Sequence, residues 1–272
     1  SHLPLASPKA VLLTGESGVG KSCLVDAVVP DSVHFGAGKF DQSVQISYSG
    51  AVSPVSSVLY QIASDERLIK ELTAKFDASF TDEEAQALLQ VVPAVRVLKV
   101  EQRARNDSVP SEGMAIRFQT LFRRLLWLLA TPEKPLVLFF DDLQWADEGS
   151  RKLLNAILQD GELTNFVFLG AIRSGEDTTF EIPPDTAVEV TTLQCNCWNE
   201  EEVIDVVMTI LESPDEIAAK NLGILLYRRT HGNPYFVKQY LDSLIDSDIL
   251  HYDPCNEKYA WNMEAVERAI KP

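Results

Sequence analysis

The sequence has no pair of cysteines at C-x-x-C spacing. Its four cysteines are Cys23, Cys195, Cys197 and Cys255, and Cys195-Asn196-Cys197 is too tight for an ordinary zinc knuckle. The four histidines form no ladder of metal ligands. A structural zinc site is excluded on these counts, and the thiols read as free and reduced, which fits a cytoplasmic setting. No apolar run reaches the roughly 20 residues that span a bilayer, so no membrane helix is expected. Basic charge is short: 24 Lys and Arg stand against 40 Asp and Glu, a net charge of −16. Such a chain repels phosphodiester backbones at long range, so nucleic acid is not expected as the main partner; solubility alone accounts for the acidity. Internal repeats and low-complexity tracts are lacking too. The chain starts Ser1-His2 rather than with Met, as an excised segment does, so the lack of a signal peptide carries no information.

What is present centres on Gly15-Glu16-Ser17-Gly18-Val19-Gly20-Lys21-Ser22. An apolar run, Ala10 to Leu13, precedes it, and Cys23-Leu24-Val25-Asp26-Ala27-Val28-Val29 follows. Strand, glycine-rich loop and helix with G-x-x-x-x-G-K-S spacing form a phosphate cradle. Glycines let successive N–H groups, from Gly15 through Cys23, turn toward one anion, and the helix N-terminus adds its dipole. Lys21 supplies a mobile charge for the β and γ phosphates, and Ser22 a hydroxyl for Mg²⁺. The 272 residues, 46% hydrophobic, suit one α/β core with a smaller appendage.

Along the chain, Ser1 to Lys9 reads as an irregular lead-in with Pro4 and Pro8. Val33 to Phe40 reads as a second strand. Helical spacing marks Pro54 to Ala63, a helix opening near Asp65, and one opened by the capping box Thr81-Asp82-Glu83-Glu84 and limited by Pro93. Asn106 to Gly113 reads as a surface loop. Ile116 to Ala130 carries a stripe of Phe118, Leu121, Phe122, Leu125, Leu128 and Leu129, with Arg117, Arg123 and Arg124 mostly off it. Leu136 to Phe140 and Asn165 to Ile172 read as parallel strands buried on both faces, and Ala187 to Thr191 as a shorter one. Residues 199 to 247 hold no strand-like run. Helices start there at Asn199, at Ser213-Pro214-Asp215-Glu216 and at Asn233-Pro234, and a hairpin follows around Asp253-Pro254-Cys255-Asn256. The expected division is a core over 1–192 and a helical lid with a terminal hairpin over 193–272.

Polar groups cluster just past the strand ends, where an α/β sheet places its ligand. Asp141, ending Leu136 to Phe140, is placed to bind Mg²⁺, and Asp142 to polarise an attacking water. Two acids at a strand end also serve as a solvated terminus or helix cap. Asp142 is one methylene shorter than Glu, and misplacing a reacting group by about 1 Å costs around 10²-fold in rate, so binding is expected before brisk turnover. Arg173, ending the strand Phe166 to Ile172, is placed to sense a γ-phosphate or to pair with an acid. His231 reads as a capping residue, with a nucleotide contact as the alternative.

The run Leu138-Phe139-Phe140-Asp141-Asp142-Leu143-Gln144-Trp145-Ala146-Asp147 resembles the extended Walker B block of signal-transduction ATPases with numerous domains, the STAND branch of AAA+-like proteins. Gly38-Lys39-Phe40-Asp41, Ala171-Ile172-Arg173-Ser174, Thr230-His231-Gly232-Asn233-Pro234-Tyr235-Phe236, and Tyr252-Asp253-Pro254 with Tyr259-Ala260-Trp261-Asn262 agree in order. The resemblance implies a P-loop NTPase core with a parallel sheet in the order 5-1-4-3-2. It puts Arg173 beside the γ-phosphate and Pro234 of a helical lid on the nucleotide base. It also implies a nucleotide-driven switch joined to sensor and effector modules. Relatives carry a Gly-Arg motif ahead of the P-loop that helps form the adenine pocket. Nine residues precede the first strand here, so that segment is cut off or lacking.

The expected activity is therefore that of a P-loop ATPase, a slow switch cycling between ADP and ATP with Mg²⁺. Lys21, Asp142 and Arg173 are its catalytic candidates, and Ser22 and Asp141 its metal ligands. The alternatives are an AAA+ motor or loader of the origin-recognition type, assembling with nucleotide into an oligomer, and a nucleotide-binding scaffold with little hydrolysis.

Overall fold

The computed structural model describes residues 8–43, 46–99, 112–175, 180–211, 216–254 and 258–269. The chain divides into two compact units. The first runs to Thr14 and again from Ser22 to Leu193; the second holds Gly15–Lys21 and the chain from Gln194 onward.

The first unit is built on a five-stranded parallel sheet. Its strands are β1 (Lys9–Gly15), β2 (His34–Lys39), β3 (Leu136–Asp141), β4 (Phe166–Arg173) and β5 (Glu189–Gln194), in the order β2-β3-β4-β1-β5. That is the expected 5-1-4-3-2 order read from the opposite edge. β4, with Arg173 at its end, thus lies between β3 and β1. Leu136 to Phe140 of β3 are all buried, as an apolar run covered on both faces requires. Phe140 and Phe168 stack across the β3–β4 pairing with ring centroids 4.9 Å apart. β5 begins two residues later than its apolar run suggested, at an exposed sheet edge where alternation gives a weak signal.

Helix α1 (Lys21–Val28) follows the glycine-rich loop. α2 (Ser49–Ala63) starts five residues before the expected Pro54, which therefore lies inside the helix. Burial and close packing outweigh the missing N–H there. A Cβ on Gly36 would strike the Pro54 carbonyl, and one on Gly38 would strike the Pro54 ring, so two side-chain-free positions on β2 let α2 cross it at the proline. α3 (Glu66–Ser79) is capped by Asp65, and α4 (Asp82–Val91) by the Thr81–Glu84 capping box, with both reciprocal bonds formed. A short 3-10 turn, Pro93–Leu98, follows.

α5 (Glu112–Leu129) begins four residues before Ile116 and takes in Glu112 and Gly113 from the expected surface loop; the rest of that loop, 106–111, lies outside the described residues. In its stripe, Phe122, Leu125 and Leu129 are fully buried, each contributing roughly 1.5–3 kcal/mol. Arg123 pairs with Asp160 and Arg124 with Glu84, tying the flank of α5 to its neighbours. A second 3-10 turn, Leu143–Trp145, leads from β3 into α6 (Glu148–Leu158), which Asp147 caps.

The second unit has its own apolar core, drawn from α7 (Glu200–Leu211), α8 (Glu216–Thr230) and α9 (Pro234–Asp246), among them Val203, Leu222, Leu226, Val237 and Leu241. Asn199 and Glu202 form the expected capping box. Asn233 caps α9 with Pro234 at its first position. The expected cap at Ser213 to Asp215 lies outside the described residues, as do residues 1–7 of the lead-in and Cys255 and Asn256 of the hairpin turn. The hairpin itself is β6 (Leu250–Asp253) against β7 (Lys258–Trp261), antiparallel, and α10 (Met263–Ala269) follows.

Candidate functional site

The loop Gly15–Lys21 belongs to the second unit and is held there through its main chain. Asn233 Nδ2 donates to the Ser17 carbonyl at 2.8 Å, and the Tyr235 N–H donates to the Gly18 carbonyl at 3.1 Å and to Asn233 Oδ1 at 3.1 Å. One asparagine therefore both caps α9 and holds the loop. Gly18 has φ 83°, and a Cβ there would lie 2.7 Å from Asn233 Oδ1, so both conformation and space require glycine. With the carbonyls of Ser17 and Gly18 taken by α9, those peptide groups are fixed in direction. Lys21, 7% exposed, donates from Nζ to the carbonyls of Gly15 and Glu16, both at 2.8 Å. Cys197 lies by Glu16, its Sγ 3.8 Å from Oε2; burial and then the Glu16 carboxylate push this thiol's pKa up. Cys23, the third residue of α1, is exposed. Pro234 opens α9 between the two residues that touch the loop, and His231 has left-handed backbone just after α8.

In the first unit, Ser22 Oγ donates to Asp141 Oδ2 at 2.7 Å across 119 residues of sequence. Asp141 Oδ1 accepts the Asp142 N–H at 2.9 Å, which fixes the plane of the carboxylate. A hydroxyl and a carboxylate side by side are hard oxygen donors. They fit Mg²⁺, which binds through one or two protein oxygens and keeps waters and phosphate oxygens for the rest. Among the described residues no group of three or more His, Cys, Asp or Glu forms a closed metal cage.

Asp142 differs sharply from its neighbour. It is 4% exposed and left-handed, with φ 55°. Arg173 Nε reaches its Oδ1 at 2.9 Å and Nη2 its Oδ2 at 3.2 Å, Gln144 Nε2 donates to Oδ1 at 3.0 Å, and Lys39 Nζ stands 3.2 Å from Oδ2. Burial pulls the Asp142 pKa up, but the hydrogen bonds from Arg173, Gln144 and Lys39 together outweigh it and hold the carboxyl below its ordinary range. Arg173 also stands over the Trp145 ring, its Cζ 4.3 Å from the ring centroid.

Of the residues singled out from sequence, the structure thus joins Ser22 to Asp141 and Asp142 to Arg173. Lys39, Gln144 and Trp145 were readable only as members of motif blocks, without roles. The signal was there: a cation ending β2 and an amide two residues past Asp142 are what a buried carboxylate at a strand end needs as donors.

A family model described as AAA ATPase domain matches residues 3–169. Hybrid signal transduction histidine kinase G of Dictyostelium discoideum is 22% identical over 327 aligned positions, covering 95% of this chain and 9% of that protein. The chain thus spans under a tenth of the curated relative it matches. Among solved structures, the signal transduction ATPase with numerous domains PH0952 from Pyrococcus horikoshii, with a tetratricopeptide repeat sensor, is 11% identical. It covers 97% of this chain and 30% of its own at a TM-score of 0.43. Drosophila ORC bound to DNA is 14% identical over 88% of this chain and 57% of its own at 0.44. The HORMA:CdnC:Trip13 complex of E. coli MS115-1 is 12% identical over 98% and 74% at 0.47. Among the described residues no helix is long and apolar enough to cross a membrane.

Proposed function

We propose that this chain, which belongs to the AAA ATPase domain family, is an ATP-binding, slowly hydrolysing switch module of a larger cytoplasmic signalling protein. The observation that carries the reading is the 2.7 Å bond from Ser22 to Asp141, which sets the hydroxyl of the phosphate-loop motif against the first acid of β3. In this reading the N–H groups of Gly15, Glu16, Ser17, Gly18, Val19, Gly20, Lys21, Ser22 and Cys23 cradle the phosphates, and Lys21 turns from its own loop carbonyls to the β and γ phosphates. Ser22 and Asp141 hold Mg²⁺, which when bound neutralises charge on the phosphate oxygens. Pro234 packs on the base. The division into a core over 1–192 and a lid over 193–272 is the working unit, joined to sensor and effector modules and, in one nucleotide state, to further copies. Nucleic acid is not a partner in this reading, given the net charge of −16.

Slowness follows from Asp142. A carboxylate that accepts from Gln144 and pairs with Lys39, besides Arg173 before a triphosphate binds, has little basicity left to orient a water. The same observation favours a second reading, a nucleotide-binding scaffold with little hydrolysis. Calorimetry with Mg–ATP and Mg–ADP and phosphate release at high protein concentration separate the two. The switch reading expects tight binding, lost in Lys21→Ala, with turnover on the order of 10⁻² per second or slower. Bound ADP in the purified protein would support it at once. Unchanged nucleotide affinity in Lys21→Ala would sink it, and absent phosphate release would leave the scaffold.

A further inference from the structure

The turn after Asp142 is built as a holder for Arg173. Asp142 leaves β3 with φ 55° and ψ 46°, and Trp145 N and Ala146 N donate to the carbonyls of Asp142 and Leu143, both at 3.0 Å. Leu143, fully buried, anchors the turn in the core. Gln144, 6% exposed, is left facing inward, where it uses both ends of its amide. Its Nε2 donates to Asp142 Oδ1 at 3.0 Å and its Oε1 accepts the Arg173 main-chain N–H at 3.3 Å. Trp145, half-buried against the core, presents its ring to the Arg173 guanidinium at 4.3 Å.

We propose that Trp145 and Gln144 are positioning residues that let Arg173 exchange the Asp142 carboxylate for the terminal phosphate of a nucleoside triphosphate without losing its place. The inference deepens the nucleotide reading above and rests on it. A ring face attracts a cation without fixing its rotation in the plane, so the guanidinium can turn over Trp145 while it changes anions. A bond to the Arg173 main chain holds the end of β4 still during that turn. The carboxylate left behind keeps Gln144 and Lys39, so the exchange does not strand a buried charge. Arg173 meets a third phosphate and not a second, so the positioning acts on the preference for ATP over ADP.

The test measures dissociation constants for Mg–ADP and for Mg with a non-hydrolysable ATP analogue, by calorimetry on the wild type, Trp145→Leu, Trp145→Phe and Gln144→Met. Trp145→Leu is expected to lower the ATP-over-ADP preference roughly 3- to 10-fold with ADP affinity within a factor of about two, and Trp145→Phe to keep most of the preference. Gln144→Met is expected to lower it in the same direction. Equal weakening of both nucleotides in Trp145→Leu and Gln144→Met, or an unchanged ratio in both, overturns the inference, since a merely structural loss does not sort ATP from ADP. Should Trp145→Leu fail to fold, the ratios in Trp145→Phe and Gln144→Met decide it. A wild type that binds neither nucleotide overturns the nucleotide reading and this inference with it; a wild type that binds both while the ratios stay fixed overturns this inference alone.

Discussion

The two ends of the central sheet treat polar groups in opposite ways. At the end where β2, β3 and β4 finish, Lys39, Asp141, Asp142 and Arg173 stand together, and each acid is matched by donors. At the end where the same strands begin, Asp160 has such a partner in Arg123, but among the described residues His34 and Asn165 do not. His34, the first residue of β2, is 9% exposed and makes no side-chain hydrogen bond among the described residues. It lines a cavity of about 240 Å³ together with Leu68, Leu72, Leu129 and Lys134. Asn165, just before β4, is 5% exposed, and its Oδ1 accepts no hydrogen bond among the described residues. The difference shows where the fold concentrates its charge. Anions and cations gather at the strand C-termini, where an α/β sheet binds its ligand, while at the opposite end the buried acid Asp160 is matched by Arg123 and the His34 imidazole is pushed toward its neutral form.

The largest test of this contrast uses two residues with the same backbone. Asp142 and Asn165 both have φ 55°, a conformation that glycine adopts at no steric cost, so glycine substitutions compare side chains alone. Asp142→Gly is expected to destabilise the first unit by about 2–4 kcal/mol, because Arg173 and Gln144 lose their shared acceptor. The loss also has a pH signature. The Asp142 pKa is lowered on folding, so its contribution is fully present above the usual carboxylate value of 3.8 and disappears only as pH falls below it. Denaturant melts of wild type and Asp142→Gly should therefore differ by a constant amount from pH 8 to 5 and converge in stronger acid. A difference that already shrinks near pH 6 would show that the carboxylate is not held as described.

Much of this end was legible in the sequence. An apolar run ending in two acids, a strand ending in arginine and a glycine-rich loop carry their chemistry in spacing, because strand ends and loop turns are local features. What was not legible is how the two acids divide the work. Asp141 meets Ser22 and Asp142 meets Arg173 because Asp142 turns left-handed, and no spacing distinguishes one aspartate from its neighbour in that respect. The position of Pro54 inside α2 was hidden for a related reason: it depends on Gly36 and Gly38 lying on another strand. The polar deficit at His34 and Asn165 left no pattern at all, since burial of a lone side chain is settled by tertiary packing.

His34 offers the next largest effect, and in a different pH window. Burial, with the Lys134 ammonium adding to it, pushes its pKa from 6.5 down to about 4. The unfolded chain therefore binds a proton that the folded chain refuses between these values, and stability is lost as pH falls from 6.5 to 4. This one group accounts for up to about 3 kcal/mol of that loss. Lys75 and Lys134 line the same cavity with Glu71 and Glu133, so the local field is mixed and desolvation dominates. His34→Gln should flatten the stability profile between pH 6.5 and 4 relative to wild type while leaving the profile below pH 4 alike. An unchanged slope would mean that the imidazole is free to protonate in the fold, and the contrast between the two ends would then rest on Asn165.

Asn165→Gly is the partner of the first substitution and is expected to have the opposite sign. It keeps the left-handed backbone and removes an amide oxygen that is buried without a donor; the weak 3.4 Å contact from Nδ2 to Thr164 Oγ1 is a small loss. The Leu136 N–H donates to the Asn165 main-chain carbonyl, which glycine retains. A gain of about 0.5–1 kcal/mol is expected, the relief of the buried oxygen being partly offset by glycine's larger unfolded-state entropy. A loss as large as that in Asp142→Gly would erase the distinction between the two ends.

The smallest effect belongs to Lys39, and it asks how much of the pairing at the strand C-termini is structural. Lys39 and Arg173 touch the same carboxylate, but the Lys39 side chain is 62% exposed against 23% for Arg173. An exposed ammonium trades its ion pair for water at little cost, so Lys39→Ala should change stability by no more than about 0.5 kcal/mol, and that change should fade as salt is raised to 1 M. Arg173→Ala leaves Asp142 with Gln144 and Lys39 alone, and Lys39→Ala introduced into that background should then cost clearly more than it does in the wild type. Strict additivity of the two would show that each cation acts on Asp142 independently. A coupled result would mean that Lys39 stands in when Arg173 is gone, which is the arrangement a carboxylate needs if its principal partner is to leave for another anion.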